Sequence, residues 1–498
     1  MKLPRPLLAL AFIAGFSVLS AADKADTLPE QTQQALLRAG HAMRSIATEG
    51  GYLWRYSRDL SVRFGEEKAT ETQIWVQPPG TPAVGQAFLR AYAVTGDEFW
   101  LGAARDAALA LVRGQLESGG WDYLVEFDPA KRPLWRYRDA SSSEARPQAT
   151  RQAPRNTSTY DDNNTQSAIR FFLAFLDAAK KSPSPDDARI RDAADYGLKK
   201  LLEAQYPNGA WPQRWDGEPH DPAKYPVKPA SIPTDYPREQ PHESYYGHYT
   251  FNDNAHRDLL LTLVDAWHRT GDETYRDAAR RAADYLILSQ LPEPQPLWAQ
   301  QYDANLQPAW ARAFEPPAIT TSESAGVIRL LVDMYLEFGD EKYLEPIPRA
   351  IKWLREHELS PGRWARLYEL LTNRPIYGDR DKKIHYTLDE ISEERRRGYS
   401  WEGEYGVAEA IAYYENVVAA GRDRWLAEHK QSRAERTSEA DVRALIDALD
   451  GDGFWVGERR SRIAPAESGR WIDCGTFIRN VYRLCSYLES VSRQAEHP

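Results

Sequence analysis

Two clusters of acids and amides stand where the chain turns from loop into helix. Tyr160-Asp161-Asp162-Asn163-Asn164-Thr165 precedes an apolar-periodic stretch over residues 166–178, and His248-Tyr249-Thr250-Phe251-Asn252-Asp253-Asn254 precedes another over residues 255–267. One Asp in such a place reads as a helix N-cap. Two adjacent acids followed by two amides exceed what a cap requires, and hard oxygen ligands in a short run suit a cation such as Ca2+, although no EF-hand spacing is present. Asp161, Asp162 and Asp253 are the candidate metal ligands, on condition that both helix starts share one rim. Two later segments place arginines among aromatic residues: Trp310-Ala311-Arg312-Ala313-Phe314-Glu315, and the stretch from Arg363-Trp364-Ala365-Arg366 to Gly378-Asp379-Arg380-Asp381. A guanidinium binds a carboxylate through two parallel hydrogen bonds, so these are candidate clamps for an acidic ligand. Glu393-Glu394-Arg395-Arg396-Arg397 reads instead as a structural salt-bridge patch. The chain has no Gly-x-Ser-x-Gly elbow, no His-Glu-x-x-His pair and no phosphate-binding glycine loop, which leaves nucleophilic hydrolysis and nucleotide chemistry without support.

The elements that must position these groups repeat. Ala91-Tyr92-Ala93-Val94-Thr95-Gly96-Asp97-Glu98 returns as Ala266-Trp267-His268-Arg269-Thr270-Gly271-Asp272-Glu273, and again around Phe338-Gly339-Asp340-Glu341. Each copy joins two apolar-periodic stretches and is followed by a Trp: Trp121, Trp298 and Trp364. A fourth, degenerate copy runs from Thr165 to Trp211. Gly supplies the left-handed residue that ends one helix, and Asp caps the next. One hairpin cannot bury its apolar face alone, so several must pack side by side. Irregular periods and long loops favour closure into an all-α, α/α toroid with its loops at one rim over an open solenoid. Residues 132–156 and 217–240 read as long surface loops. The expected division is a signal segment at 1–22, the toroid at 23–430, and a small helical extension at 440–498, appended to the ring.

The chain has 498 residues with a net charge of −10, which argues against a nucleic-acid partner. Acting on a polyanion then requires local positive charge from a bound cation and placed arginines. Sixteen Trp and 27 Tyr supply flat rings for a core or for sugar faces. Lys2 and Arg5, an apolar run over residues 7–19 and Ser20-Ala21-Ala22 read as an export signal, implying a periplasmic or secreted protein without a stable membrane anchor. Cys474 and Cys485 are the only cysteines. On one helix they would lie about three turns apart, too far to bridge.

Taken together, these segments resemble the helical-toroid pectate lyases, polysaccharide lyase family ten. The likeness also runs through Asn208-Gly209-Ala210-Trp211-Pro212-Gln213, Trp298-Ala299-Gln300-Gln301-Tyr302-Asp303, Ser322-Glu323-Ser324-Ala325-Gly326 and Ile384-His385-Tyr386, and spans residues 160–415. It implies Ca2+-assisted β-elimination on polygalacturonate or oligogalacturonides by a monomeric enzyme, with an arginine as base and an alkaline optimum. By that resemblance Asp161, Asp162 and Asp253 hold Ca2+, and Asp161 is also counted as catalytic. Arg380 is the expected base, and Arg312 the carboxylate-binding residue beside it. Arg366, Trp211, His248 and Asn252 are expected to contact substrate. The three arginines are assigned by motif placement and are interchangeable at this stage. A toroid uronide hydrolase or epimerase, or a catalytically silent glycan-binding relative, are the alternatives. The chain departs from the family in reading Tyr245-Tyr246-Gly247-His248-Tyr249 where Tyr-His-Asp-His is usual, and in the insertion at 217–240.

Overall fold

The structure, a computed structural model, describes residues 26–139, 153–429, 437–459 and 469–496. The helices are α1 (Leu28–Ser45), α2 (Thr81–Thr95), α3 (Glu98–Arg113), α4 (Asn164–Ala179), α5 (Asp187–Glu203), α6 (Ala255–Thr270), α7 (Glu273–Leu288), α8 (Thr321–Phe338), α9 (Ile347–Glu356), α10 (Glu393–Gly398), α11 (Val407–Ala420), α12 (Arg422–His429), α13 (Glu439–Asp447) and α14 (Cys474–Glu496). The repeated turns fold as their sequences dictate. Gly96, Gly271 and Gly339 end α2, α6 and α8 in the left-handed conformation, with φ of 69°, 73° and 71°. The following Asp97, Asp272 and Asp340 each accept a backbone N–H two residues on, at 2.9, 2.9 and 3.2 Å.

The hairpins stand in two layers, forming an α/α toroid. Neighbouring helices of the inner layer are α14 against α2, α2 against α4 and α4 against α6, continuing through α8 and α11. The outer layer contains α1, α3, α5, α7, α9 and α13. Most outer helices end in the same device: a tryptophan indole beyond the helix donates to a carbonyl of its last turn. Trp121 reaches Leu111 O at 2.9 Å, Trp211 reaches Leu201 O at 2.9 Å, Trp298 reaches Leu286 O at 2.8 Å, Trp364 reaches Leu354 O at 2.8 Å and Trp455 reaches Leu445 O at 2.8 Å. Helix C-termini leave carbonyls without intrahelical partners, and an indole satisfies one while burying its large apolar body.

Trp455 bears on the expected domain division. The C-terminal segment, expected as a piece appended to the ring, packs within it: α14 lies against α1 and α2, and α13 against α1. Strands Val456–Arg459 and Gly469–Asp473 join Arg55–Ser57, Arg63–Phe64 and Lys68–Ala69 in one antiparallel sheet, with Arg55 opposite Asp473. The physical reason is apolar. Phe477, Val481, Leu484 and Leu488 of α14 are buried in the same core as Phe88 and Trp100. Cys474 and Cys485 are buried free thiols on this helix. The expected export signal at 1–22, residues 140–152 of the first long loop, and the linker at 430–436 lie outside the described residues. No helix among the described residues is long and apolar enough to cross a membrane.

Candidate active site at the toroid rim

The loops entering the inner helices α4 and α6 meet. Both carry two successive residues with positive φ: Asp162 (51°) and Asn163 (54°) before α4, and Asp253 (49°) and Asn254 (61°) before α6. Non-glycine residues pay for this conformation, and Asp and Asn pay least. Neither Asn163 nor Asn254, the N-cap residues, makes a side-chain cap. Capping therefore does not account for the acids, which the turns direct toward one another. One carboxylate oxygen each of Asp161, Asp162 and Asp253 lies within 4.8 Å of the others.

The surroundings hold this arrangement. Asn164 donates from Nδ2 to Trp121 O and Asp122 O at 3.0 and 3.1 Å, tying the start of α4 to the tryptophan loop of the preceding hairpin. Gln213 Nε2 donates to Asp161 at 2.8 Å and Tyr123 Oη to Asp162 at 3.3 Å. Asn252 donates from Nδ2 to Asp253, and Phe251 N bonds Gln300 O at 2.8 Å.

Burial, followed by the neighbouring charges of Asp162 and Asp253, pushes the Asp161 carboxyl up to about 7. Burial and Asp253 push Asp162 up to about 6. Three acids crowded in a half-dry recess resist ionising together, and a cation relieves that conflict. The donor set fits a hard divalent ion: three carboxylates, with the buried Oε1 of Gln213 left without a hydrogen-bond partner beside them.

Arg312 is the guanidinium at the cluster, with Nη2 4.0 Å from Asp253. Its Nε and Nη2 are held by Glu315 at 2.8 and 2.6 Å, and the backbone between them closes a tight turn through Glu315 N to Arg312 O at 2.9 Å. Burial works to lower the Arg312 pKa, but the hydrogen bond and charge of Glu315 outweigh it and hold the group above its ordinary value. Arg366 lines a recess between α6 and α8 together with Asp253, Arg257 and Glu323. Its guanidinium stacks on Tyr399, 4.5 Å from the ring centroid.

Other expected positions fall elsewhere. Arg380 is paired with Glu394 at 3.1 Å, with its side chain 64% exposed. It meets Arg312 only across Phe314, whose ring centroid is 5.8 Å from one guanidinium and 5.3 Å from the other. The contacts of Arg380 are thus with Glu394 and Phe314 and not with the three acids. Trp211, expected to contact substrate, is 2% exposed and donates its indole N–H to Leu201 O at the end of α5; its place is in the core. His248 lines a separate cleft with Asp303 and Trp310. The run after Ser392 is the expected salt-bridge patch, with Arg397 on Glu393 at 2.7 Å and Arg395 on Glu394. Gln213, Tyr123, Glu315 and Glu323 were not singled out as site residues. Gln213 follows Trp211-Pro212 and was within reach of the motif reading, whereas Tyr123 carries no local signal.

These features define an α/α toroid whose rim gathers three acids and an arginine. The model of the pectic acid lyase family matches residues 115–264, 291–363 and 358–409, more than half of the chain. The protein belongs to that family and is a polysaccharide lyase. Among solved structures, it is similar to a family 10 polysaccharide lyase from Cellvibrio cellulosa, with 23% identity over 67% of this chain and 97% of that one, at a TM-score of 0.45. It is also similar to an alanine mutant of a Cellvibrio cellulosa family 10 lyase in complex with trigalacturonic acid, with 22% identity, coverage of 68% and 98%, and a TM-score of 0.43. A D-mannose isomerase is similar at 14% identity, covering 94% of this chain and 98% of that one, with a TM-score of 0.44. No curated protein matches.

Proposed function

We propose that the protein is a pectate lyase, cleaving α-1,4-linked galacturonan by β-elimination with a calcium ion held by Asp161, Asp162 and Asp253. The observation that carries this reading is the meeting of three carboxylates within 4.8 Å of one another, with Arg312 Nη2 4.0 Å from one of them. Calcium bound there supplies charge neutralisation of the uronate carboxylate and of the enolate-like charge beside it.

The chain's own residues do the rest. Gln213, Tyr123 and Asn252 orient the three acids. Arg366, stacked on Tyr399, offers a guanidinium fork to a uronate carboxylate. Arg312 is assigned the base because it is the guanidinium closest to the cluster, and Glu315 fixes two of its nitrogens and leaves Nη1 for the substrate. The C5–H bond breaks toward Arg312, a C4–C5 double bond forms, the C4–O bond breaks, and the departing oxygen takes up a proton. Water is not consumed. A protonated arginine cannot accept the proton, so the rate rises with the neutral fraction and therefore with pH. Glu315 favours the charged form, while positive charge gathered at the cluster opposes it. Export through residues 1–22 and action as a monomer belong to the same reading.

The test follows the ultraviolet absorbance of the unsaturated uronate released from polygalacturonate. Chelation should abolish the signal, added Ca2+ restore it, and Asp253→Ala remove it while leaving the helical circular dichroism intact. New reducing ends without absorbance, or full activity in chelator, would replace this reading with a hydrolase or a cation-independent one.

A further inference from the structure

The insertion at 217–240 does not hang free; it is fastened to the loop that carries Arg312. Trp310 donates its indole N–H to Pro237 O at 2.8 Å, and Gln240 donates from Nε2 to Ala311 O. Ser231 N bonds Leu306 O at 3.1 Å, and Arg238 pairs with Glu369 at 2.7 Å. Between the insertion and the 303–311 loop lies a cleft of about 200 Å³. Its wall is rich in proline, Tyr236 and Trp310 being buried there, and it runs up to Ala311, the residue before Arg312. Its other edge is His248, in the loop that leads to Asp253. The cleft is therefore lined by the loops that carry Arg312 and Asp253.

Its charge is unlike that of the groove. The ionisable residues lining it are Asp235, Glu243, Asp303 and His248. No Lys or Arg lines it, and the nearby Arg238 is turned onto Glu369. Burial lowers the His248 pKa against the opposing charges of Asp303 and Glu243. Glu243 and Asp235 have no hydrogen-bond or ion-pair partner among the described residues. A uronate carboxylate placed here would meet like charge without a compensating cation, whereas the recess between α6 and α8 presents Arg257 and Arg366. Proline faces offer apolar surface to a pyranose, and carboxylates accept from sugar hydroxyls.

We propose that this cleft is a subsite for an uncharged pyranose of the polysaccharide, so that the enzyme cleaves at a free galacturonate whose neighbour carries no charge. The proposal rests on the lyase reading above and adds the substrate class. An uncharged neighbour is either a methyl-esterified galacturonate or a neutral sugar substituent, and both offer the same face to the cleft.

The full chain is assayed in Ca2+ on polygalacturonate, on partially methyl-esterified galacturonan and on galacturonan bearing neutral side units. The wild type should show several-fold higher kcat/KM on one of the last two than on polygalacturonate, and which one identifies the source of the neutral unit. The variant Asp235→Lys/Glu243→Lys changes two exposed loop residues outside the catalytic set. It should raise kcat/KM on polygalacturonate by about 3- to 10-fold, as reversal of two solvent-exposed charges allows, and abolish the preference. A wild type that acts best on polygalacturonate, or a ratio unmoved by the double variant, would overturn the proposal and leave the lyase reading intact. If no substrate yields unsaturated product, the lyase reading fails. Calorimetric binding of esterified against de-esterified oligogalacturonides then decides the subsite separately, with tighter binding of the de-esterified form overturning it.

Discussion

Replacing Asp161 by asparagine should remove activity yet stabilise the cation-free protein at alkaline pH. The sign follows from the direction of the shift. An unfolded Asp titrates near ~3.9, and burial with the charges of Asp162 and Asp253 pushes Asp161 up to about 7 in the fold. A folded-state pKa above the unfolded one means that the group costs nothing below the unfolded value. The cost then builds as pH rises from about 4 through about 7. Three pKa units correspond to about 4 kcal/mol at ~1.36 kcal/mol each. Asp161 is 9% exposed, so solvent screens little of this, but part of the repulsion is shared with Asp162 and Asp253 and cannot be removed at one residue. Asparagine keeps an oxygen for Gln213 Nε2, which sits 2.8 Å from Asp161.

The expected gain is therefore about 2–4 kcal/mol at pH 8 and near zero at pH 4. Urea unfolding in chelator at the two pH values measures it. Excess Ca2+ should stabilise the wild type by mass action and the variant much less. A variant that is less stable than wild type by the same amount at both pH values would show that the carboxylate is already satisfied without a cation, and the argument for a metal-holding cluster would fall with it.

Other outcomes are equally direct. Arg312→Ala should lower kcat/KM by about 100-fold or more with the fold retained, as loss of a group acting at the reacting atoms does, while Arg380→Ala, whose partner is the surface Glu394, should retain a far larger share of activity; steady-state assays on polygalacturonate rank the two. Trp298→Ala removes a fully buried indole and its bond to Leu286 O and should cost about 3–5 kcal/mol in urea unfolding. Calcium affinity, followed by titration calorimetry, should weaken as pH falls below about 7 and then about 6, because Asp161 and Asp162 must shed the protons that the cation-free site holds.

How much of this was legible in the sequence depended on whether a signal was local. The hairpin turns were, because a left-handed glycine followed by a capping aspartate specifies the chain's path within four residues; Gly96-Asp97, Gly271-Asp272 and Gly339-Asp340 fold as such a pair must. The C-terminal hairpin was missed as part of the ring because α13 is not entered through that turn, although Gly453-Phe454-Trp455 repeats the Gly-x-Trp ending of α3, α5 and α9 and its indole bonds Leu445 as theirs bond Leu111, Leu201 and Leu354. Trp211 was misread for a related reason. A tryptophan after a glycine has the same appearance whether its indole ends a helix or lies under a sugar, and only the bond to Leu201 O separates the two.

The acids and the arginines differ in the same respect. Asp161 and Asp253 begin successive inner helices, so a repeat that alternates inner and outer helices brings their loops to one rim without further information. The arginines lie within loops whose paths the repeat does not set, and Arg312, Arg366 and Arg380 were equivalent until tertiary partners were known: Glu315 and Asp253 for the first, the α6–α8 recess and Tyr399 for the second, Glu394 for the third. A ring of hairpins thus brings the acids of two helix starts together by repetition alone, whereas the surroundings of each arginine are set by single contacts of its loop. Substitutions at Glu315 should accordingly alter the pH dependence of turnover, while those at the turns before α4 and α6 alter cation affinity.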